Sequence, residues 1–122
     1  MAAVKKPKST EAEEQITVVD FCRISGIPVV HIPNEGKRSP WRGAEEVRMG
    51  LARGFPDLFL PIARGKYHGL MIEMKAQNGR LSAEQRGWLT TLRENGYATA
   101  VCYGAEEAIN IIKKYRKLEE KQ

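Results

Sequence analysis

The sequence contains little cysteine and no long hydrophobic run, and each absence excludes a class of protein. Cys22 and Cys102 are far apart and lack the Cys-x-x-Cys or Cys/His spacing of a zinc site, so two buried free thiols are expected. No segment approaches the roughly 18 apolar residues of a membrane span. The N-terminus also lacks the apolar segment of a signal peptide. We therefore expect a soluble, intracellular protein with no membrane partner.

Acidic residues are in the minority. The chain has 20 Lys and Arg against 15 Asp and Glu, a formal net charge of +5. Such a surplus favours a nucleic-acid partner, although an ordinary basic surface has the same charge. Hydrophobic residues make up 42% and charged residues 29%, which is typical of a globular chain. We expect a single domain over residues 10–117, with a flexible basic tail at 1–9 and a frayed end at 118–122.

Capping, proline and glycine signals predict four helices, and β-branched and apolar runs predict four strands. Thr10 and Glu13 fit a capping box at the start of the first helix, and Ser82 caps the third. The order of elements predicts an α/β fold with a mixed β-sheet of four or five strands flanked by helices. The predicted helices span residues 11–24, 40–53, 82–95 and 105–117, and the predicted strands span residues 28–33, 57–62, 67–75 and 97–103.

Two neighbouring strands carry charged residues where unpaired buried charge would be costly. Side chains alternate across a strand, so Glu73 and Lys75 project to one face while Met74 projects to the core. If the hairpin turns at Gly65, Asp57 lies opposite Glu73 with Cβ atoms roughly 5 Å apart. Two such carboxylates suit a hard divalent cation such as Mg²⁺, and Lys75 would orient or activate metal-bound water beside a phosphodiester.

These residues resemble a known nuclease family. The segments FPDLFLP and IEMK resemble the PD-(D/E)-x-K nuclease superfamily. The wider run from HIPNEGKRS to AVCYG is similar to the virus-type replication-repair nuclease (VRR-NUC) domain of that superfamily, in its stand-alone phage or bacterial form, and the resemblance covers about residues 10–115. The resemblance implies a restriction-endonuclease-like fold, Mg²⁺ or Mn²⁺ without an organic cofactor, and DNA cleavage. It also implies a homodimer resembling Holliday junction resolvases, selective for branched DNA, in the cytoplasm of a bacterium or phage-infected host.

The resemblance assigns roles to the residues of the hairpin. Asp57 and Glu73 would bind the metal together with the backbone carbonyl of Met74, and Lys75 would be the catalytic lysine. Without the family pattern, Asp57 is also typical of an aspartate that opens a strand. Glu73 and Lys75 are likewise typical of a solvated strand face.

Two positions in the helices match the remaining part of the family's catalytic pattern. Gln85 matches a glutamine early in the helix after E-x-K. Ser82 and Gln85 also form a capping box, which leaves open whether the amide caps the helix or points into the site. Glu11 fits best the glutamate of the first helix, as a catalytic residue and further metal ligand, and Glu14 is the alternative.

The remaining candidates have plainer interpretations as well. His31 and His68 are single histidines, which are typical of structural groups, and Trp41 and Trp88 are typical of packing residues. Two rivals to the nuclease remain: a non-catalytic nucleic-acid binding module with the same fold, and a structural protein with an ordinary hairpin. The basic cluster is either a solvated surface or a phosphate-contact surface. The candidate DNA contacts are Lys37, Arg38, Arg42, Arg48, His31 and Asn34.

Overall fold

The computed structural model describes residues 9–33 and 40–120, without the side chains of 40–42. The tail predicted at 1–9 therefore lies outside the described residues except for Ser9. The helices are α1 (Glu11–Ile24), α2 (Pro40–Arg48), α3 (Ala83–Glu94) and α4 (Ala105–Arg116). The strands are β1 (Val30–His31), β2 (Leu58–Leu60), β3 (Leu70–Lys75) and β4 (Ala98–Tyr103).

The four strands form one mixed sheet in the order β1-β2-β3-β4. The β1/β2 and β2/β3 pairs are antiparallel, whereas β3 and β4 are parallel and are connected through α3. A parallel pair requires a crossover of this kind, because the chain must return to the end of the sheet at which the first strand began. The predicted mixed sheet with flanking helices is confirmed.

The hydrophobic core lies on one face of this sheet. Leu70, Ile72 and Met74 alternate along β3, and their side chains are buried together with residues of α1 and α4. Val18 and Cys22 supply the α1 side of this core. Fully burying a large aliphatic side chain contributes about 1.5 to 3 kcal/mol, so this face fixes how the strand is oriented.

Helix α3 covers the opposite face. Leu89 and Leu92 of α3 are buried, and so are Met71 and Glu73, which project from β3 away from the core. Glu73 is only 3% exposed. The interpretation of this face as a solvated one is therefore wrong, because the crossover helix removes it from water.

The ends of the helices follow their capping residues. In α1 the Thr10 hydroxyl accepts a hydrogen bond from the Glu13 N–H, and the predicted bounds of α1 are confirmed. Helix α2 is shorter than predicted and ends at Arg48. Gly50 adopts a φ of 110°, and Leu51 N–H donates to Glu46 O at 2.9 Å, which is the Schellman arrangement that ends a helix.

The chain after α4 lies against the turn between β2 and β3. Gly65 N–H donates to Glu119 O at 2.6 Å, and Arg64 forms a 3.6 Å ion pair with Glu120. Fraying of 118–122 stays a prediction, since residues 121–122 are not described. No helix within the described part of the chain is long and apolar enough to cross a membrane.

Candidate active site

The pairing of β2 with β3 sets Asp57 against Glu73. Leu58 pairs with Ile72 and Leu60 with Leu70, which is the predicted register. Continued by one residue toward the start of β2, this register places Asp57 opposite Glu73. The carboxylate Oδ2 of Asp57 also accepts a hydrogen bond from the backbone N–H of Met74 at 2.8 Å. The side chain of Asp57 is thereby fixed against β3 at the residue between Glu73 and Lys75.

The backbone of Asp57 is fixed from the other side by β1. The carbonyl oxygen of Asp57 accepts from Ile32 N–H at 2.8 Å and lies 3.0 Å from Nδ1 of His31. The same Nδ1 lies 3.0 Å from the amide Nε2 of Gln15 on α1. His31 thus has a structural role beside Asp57, while its predicted DNA contact stays a prediction.

Glu73 receives two donors on one oxygen. The amide Nε2 of Gln85 donates to Oε1 of Glu73 at 2.9 Å, and Nζ of Lys75 lies 3.8 Å from the same Oε1. The side chains of Lys75 and Glu73 are 12% and 4% exposed, so the ion pair is largely shielded from water. An amide and an ammonium offset part of the cost of burying this carboxylate.

Gln85 satisfies both interpretations that the sequence left open. Its Oε1 accepts from the backbone N–H of Ser82 at 2.8 Å, while its own N–H donates to the Ser82 hydroxyl at 3.1 Å, which completes the capping box. Its Nε2 donates at the same time to Glu73. An amide has one accepting and one donating end, so a single buried glutamine caps α3 and binds the carboxylate.

The segment before Asp57 is packed on α3. The indole Nε1 of Trp88 donates to Arg53 O at 3.1 Å, and the rings of Trp88 and Phe55 meet edge to face with centroids 5.1 Å apart. Between them, buried Gly54 lies so close to α3 that an added Cβ would be 2.8 Å from the backbone N of Gln85. The contact of Gly54 was not predicted, and its only signal in the sequence is a glycine directly before the FPD stretch.

The two candidate acids of α1 line a cavity of about 630 Å³ at the carboxyl ends of β3 and β4. These acids are Glu11 and Glu14, and Lys75 lines the same cavity. Glu14 is half-buried, with Oε1 only 3.2 Å from where a Cβ on Gly104 would lie, whereas Glu11 is exposed. Both acids share the cavity with Lys75, and the structure gives Glu14 the more confined position.

The predicted DNA contacts fall mostly outside the described residues. Asn34, Lys37 and Arg38 are not described, and neither is the side chain of Arg42. Arg48 is exposed at the end of α2. DNA binding by this surface stays a prediction.

The two cysteines are free and buried, as predicted, and they belong to the core. Burial raises the pKa of the Cys22 thiol, and burial together with the nearby Glu107 carboxylate raises the pKa of Cys102 to about 12. A thiol so far from ionisation is a poor nucleophile or metal ligand. The cysteines therefore take no part in the chemistry of the site.

The chemistry of the oxygen donors suits a hard divalent cation. Asp57 and Glu73 supply carboxylates from opposed positions, and water, backbone carbonyl and phosphate oxygens are the usual further ligands of Mg²⁺. Across residues 9–33 and 40–120, no group of three or more His, Cys, Asp and Glu side chains is arranged to hold a metal ion. Any ion at this pair would therefore take its remaining ligands from those other oxygens.

A mixed sheet that brings Asp57, Glu73, Lys75 and Gln85 together is a restriction-endonuclease-like α/β fold of the nuclease type. The model of the VRR-NUC domain matches residues 37–106, which is more than half of the chain. A solved structure described as a "VRR_NUC domain protein" is 31% identical to this chain and superposes with a TM-score of 0.82, covering 94% of each chain. Among curated proteins, no match is found. This chain therefore belongs to the VRR-NUC family.

Proposed function

We propose that this protein is a DNA endonuclease that hydrolyses phosphodiester bonds with Mg²⁺ or Mn²⁺. The proposal is carried by one observation: Asp57, Glu73 and Lys75 meet at the ends of β2 and β3, with Glu73 and Lys75 largely shielded from water. A buried carboxylate with an ammonium beside it adds little stability, because the desolvation cost offsets the attraction, so such a pair points to a function other than stabilising the fold. Membership of a nuclease family supplies that purpose.

The metal would be held by the carboxylates of Asp57 and Glu73 and by the backbone carbonyl of Met74. Bound there, a divalent ion supplies Lewis acidity toward a phosphodiester and lowers the pKa of bound water. The chain's own contribution is orientation: Met74 N–H fixes one oxygen of Asp57, and Gln85 fixes one oxygen of Glu73. Both carboxylates are held in place before any ion arrives.

Lys75 acts as the catalytic lysine in this proposal. Its ammonium lies 3.8 Å from Oε1 of Glu73, and Lys75 is one of the residues that line the cavity shared with the acids of α1. From there it would stabilise negative charge that develops on the phosphate in the transition state. Gln85 completes the set by orienting Glu73, and Glu14 or Glu11 supplies a further acid from α1.

The test is cleavage of linear and branched DNA with Mg²⁺ or Mn²⁺. Lys75→Ala and Asp57→Asn should each reduce the cleavage rate by about 100-fold or more, because the first removes the ammonium that stabilises charge on the phosphate and the second removes a carboxylate that holds the metal. Lys114→Ala is the matched control, since Lys114 is an exposed lysine on α4 and should retain the wild-type rate. Full cleavage by the Lys75 and Asp57 variants would refute the assignment.

Two comparisons sharpen the proposal. Glu14→Gln and Glu11→Gln, assayed side by side, identify the acid of α1 as the one whose loss slows cleavage. A preference for junction over linear DNA, together with a dimeric mass in light scattering, would support the finer proposal of a homodimer selective for branched DNA. If the protein binds DNA but cleaves it with neither metal, the non-catalytic binding module is the correct function.

A further inference from the structure

The first turn of α3 contacts both sides of the proposed metal site. On one side, Gln85 donates directly to the carboxylate of Glu73 at 2.9 Å. On the other side, the backbone of Gly54 packs against Glu84 and Gln85, three residues before Asp57 in the chain. One rigid helix therefore contacts each of the two segments that carry the carboxylates.

The contact of Gly54 with α3 leaves no space for a side chain. Gly54 has a φ of 83°, and an added Cβ would lie 2.8 Å from the backbone N of Gln85, the backbone C of Glu84 and the Cβ of Glu84. Two of these three atoms belong to the backbone of a helix, which cannot give way without moving the whole first turn. Any side chain at position 54 therefore pushes the Asp57 segment and the Gln85 turn apart.

Trp88 reinforces this contact one turn further along α3. Its indole N–H donates to Arg53 O at 3.1 Å, and its ring packs edge to face on Phe55. Residues 53–55 are thus fixed to α3 by three consecutive contacts. Pro56 is fully buried, so little freedom remains before Asp57.

We propose that Gly54 and Trp88 are positioning residues that set the separation of the Asp57 and Glu73 carboxylates, and with it the affinity of the site for a divalent cation. This proposal rests on the proposed function, since it assigns the cation to these two carboxylates. Neither residue touches the ion. Both act through α3, which holds Glu73 by way of Gln85 and holds the chain that leads into Asp57.

The experiment is a calorimetric titration of the full chain with Mn²⁺ in the absence of DNA. Gly54→Ala should weaken Mn²⁺ binding by about 10-fold to 100-fold, the usual effect of disturbing the groups that orient metal ligands. Trp88→Phe keeps the aromatic ring but removes the N–H that donates to Arg53, so it should weaken binding by a smaller factor. Melting temperatures measured on the same samples show which variants are folded.

Two glycine variants serve as matched controls. Gly50 has a φ of 110° and nothing within 4 Å of an added Cβ, so Gly50→Ala introduces the same kind of backbone strain without the contact. Gly87 lies on α3 with nothing within 4 Å of an added Cβ, so Gly87→Ala adds a side chain to the same helix without the contact. Both variants should bind Mn²⁺ as the wild type does, even where Gly50→Ala lowers the melting temperature.

The outcomes separate this proposal from the proposed function. If the wild type binds no Mn²⁺ and cleaves no DNA, the proposed function itself fails. If the wild type binds Mn²⁺ and folded Gly54→Ala binds it equally well, the function stands and the positioning role is wrong. Should Gly54→Ala fail to fold, wild-type Mn²⁺ affinity in Trp88→Phe overturns the positioning role in the same way.

Discussion

At the scale of single residues, Gln85 shows how one side chain joins a helix end to a buried charge. The accepting end of its amide binds the Ser82 N–H, and the donating end binds Glu73. These two partners require opposite ends of the amide, so its orientation is fixed. Capping and site geometry are therefore linked through one residue, and their contributions can be separated by mutation.

Ser82→Ala and Gln85→Ala should differ in their effect on stability. Ser82→Ala removes the hydroxyl of the capping box and should lower the free energy of unfolding by about 1 kcal/mol. Gln85→Ala also removes a donor from a buried carboxylate and should lower it by about 3 kcal/mol. Urea unfolding without metal measures both values. Equal losses in the two variants would mean that the bond to Glu73 contributes nothing.

Cys102 makes the folded chain less stable as the pH becomes alkaline. Burial raises the pKa of its thiol from 9.0 to about 12 in the folded chain, so the unfolded chain loses this proton first as pH rises. The stabilising contribution is complete below pH 9 and is lost as pH rises toward 12. Between about pH 8 and 10, the wild type should lose about 1 kcal/mol more stability than Cys102→Ala in urea unfolding. If the stabilities of the wild type and Cys102→Ala fall in parallel over this pH range, the prediction is wrong.

At the scale of elements, the sequence predicted helix ends well where a side chain marks them. The capping residues Thr10 and Ser82 gave the starts of α1 and α3, because a cap is a local interaction. The end of α2 was predicted too late, since Gly50 already closes that helix. Strand β1 has two residues where six were predicted, because strand length depends on how much of a neighbouring strand is available for pairing.

The site could be predicted only in part, because some of its contacts join segments that are distant in the sequence. Asp57, Glu73 and Lys75 were found from alternation and from the symmetry of the hairpin about its turn, both of which are local. The burial of Glu73 and its bond to Gln85 depend on α3 folding over the sheet, which is a contact between distant segments. The helical position of Gln85 left open whether its amide points into the site, and nothing local to either segment identifies Glu73 as its partner.

Tyr115 connects α4 to the loop that follows β2. Its hydroxyl donates to Ile62 O at 2.5 Å, and the residue is 5% exposed. Tyr115→Phe should lower the free energy of unfolding by about 1 to 2 kcal/mol, because it leaves a shielded carbonyl without this donor. Tyr103→Phe is the control, since Tyr103 is 41% exposed and its change should stay within about 0.5 kcal/mol. Thermal or urea unfolding measures both variants, and equal effects would show that the hydrogen bond from Tyr115 to Ile62 adds no stability.

At the scale of the whole molecule, the net charge of +5 predicts that association with DNA depends on salt. If the basic surface contacts about four phosphates, affinity should fall by about 100-fold between roughly 50 and 200 mM salt, because bound counterions are released on binding. Fluorescence anisotropy in the presence of EDTA measures this without cleavage. Affinity that does not change with salt would exclude phosphate contacts as its source.

The crossover from β3 through α3 to β4 also has a consequence for biosynthesis. The charged residues at the hairpin are synthesised before the chain that covers them, since Gln85 and β4 follow Lys75 in the sequence. A nascent chain that stops between Lys75 and Gln85 carries the acids and the ammonium but lacks both the orienting amide and the parallel strand. If the proposed function is correct, such an arrested fragment should be inert toward DNA, because residues that the site requires are synthesised later.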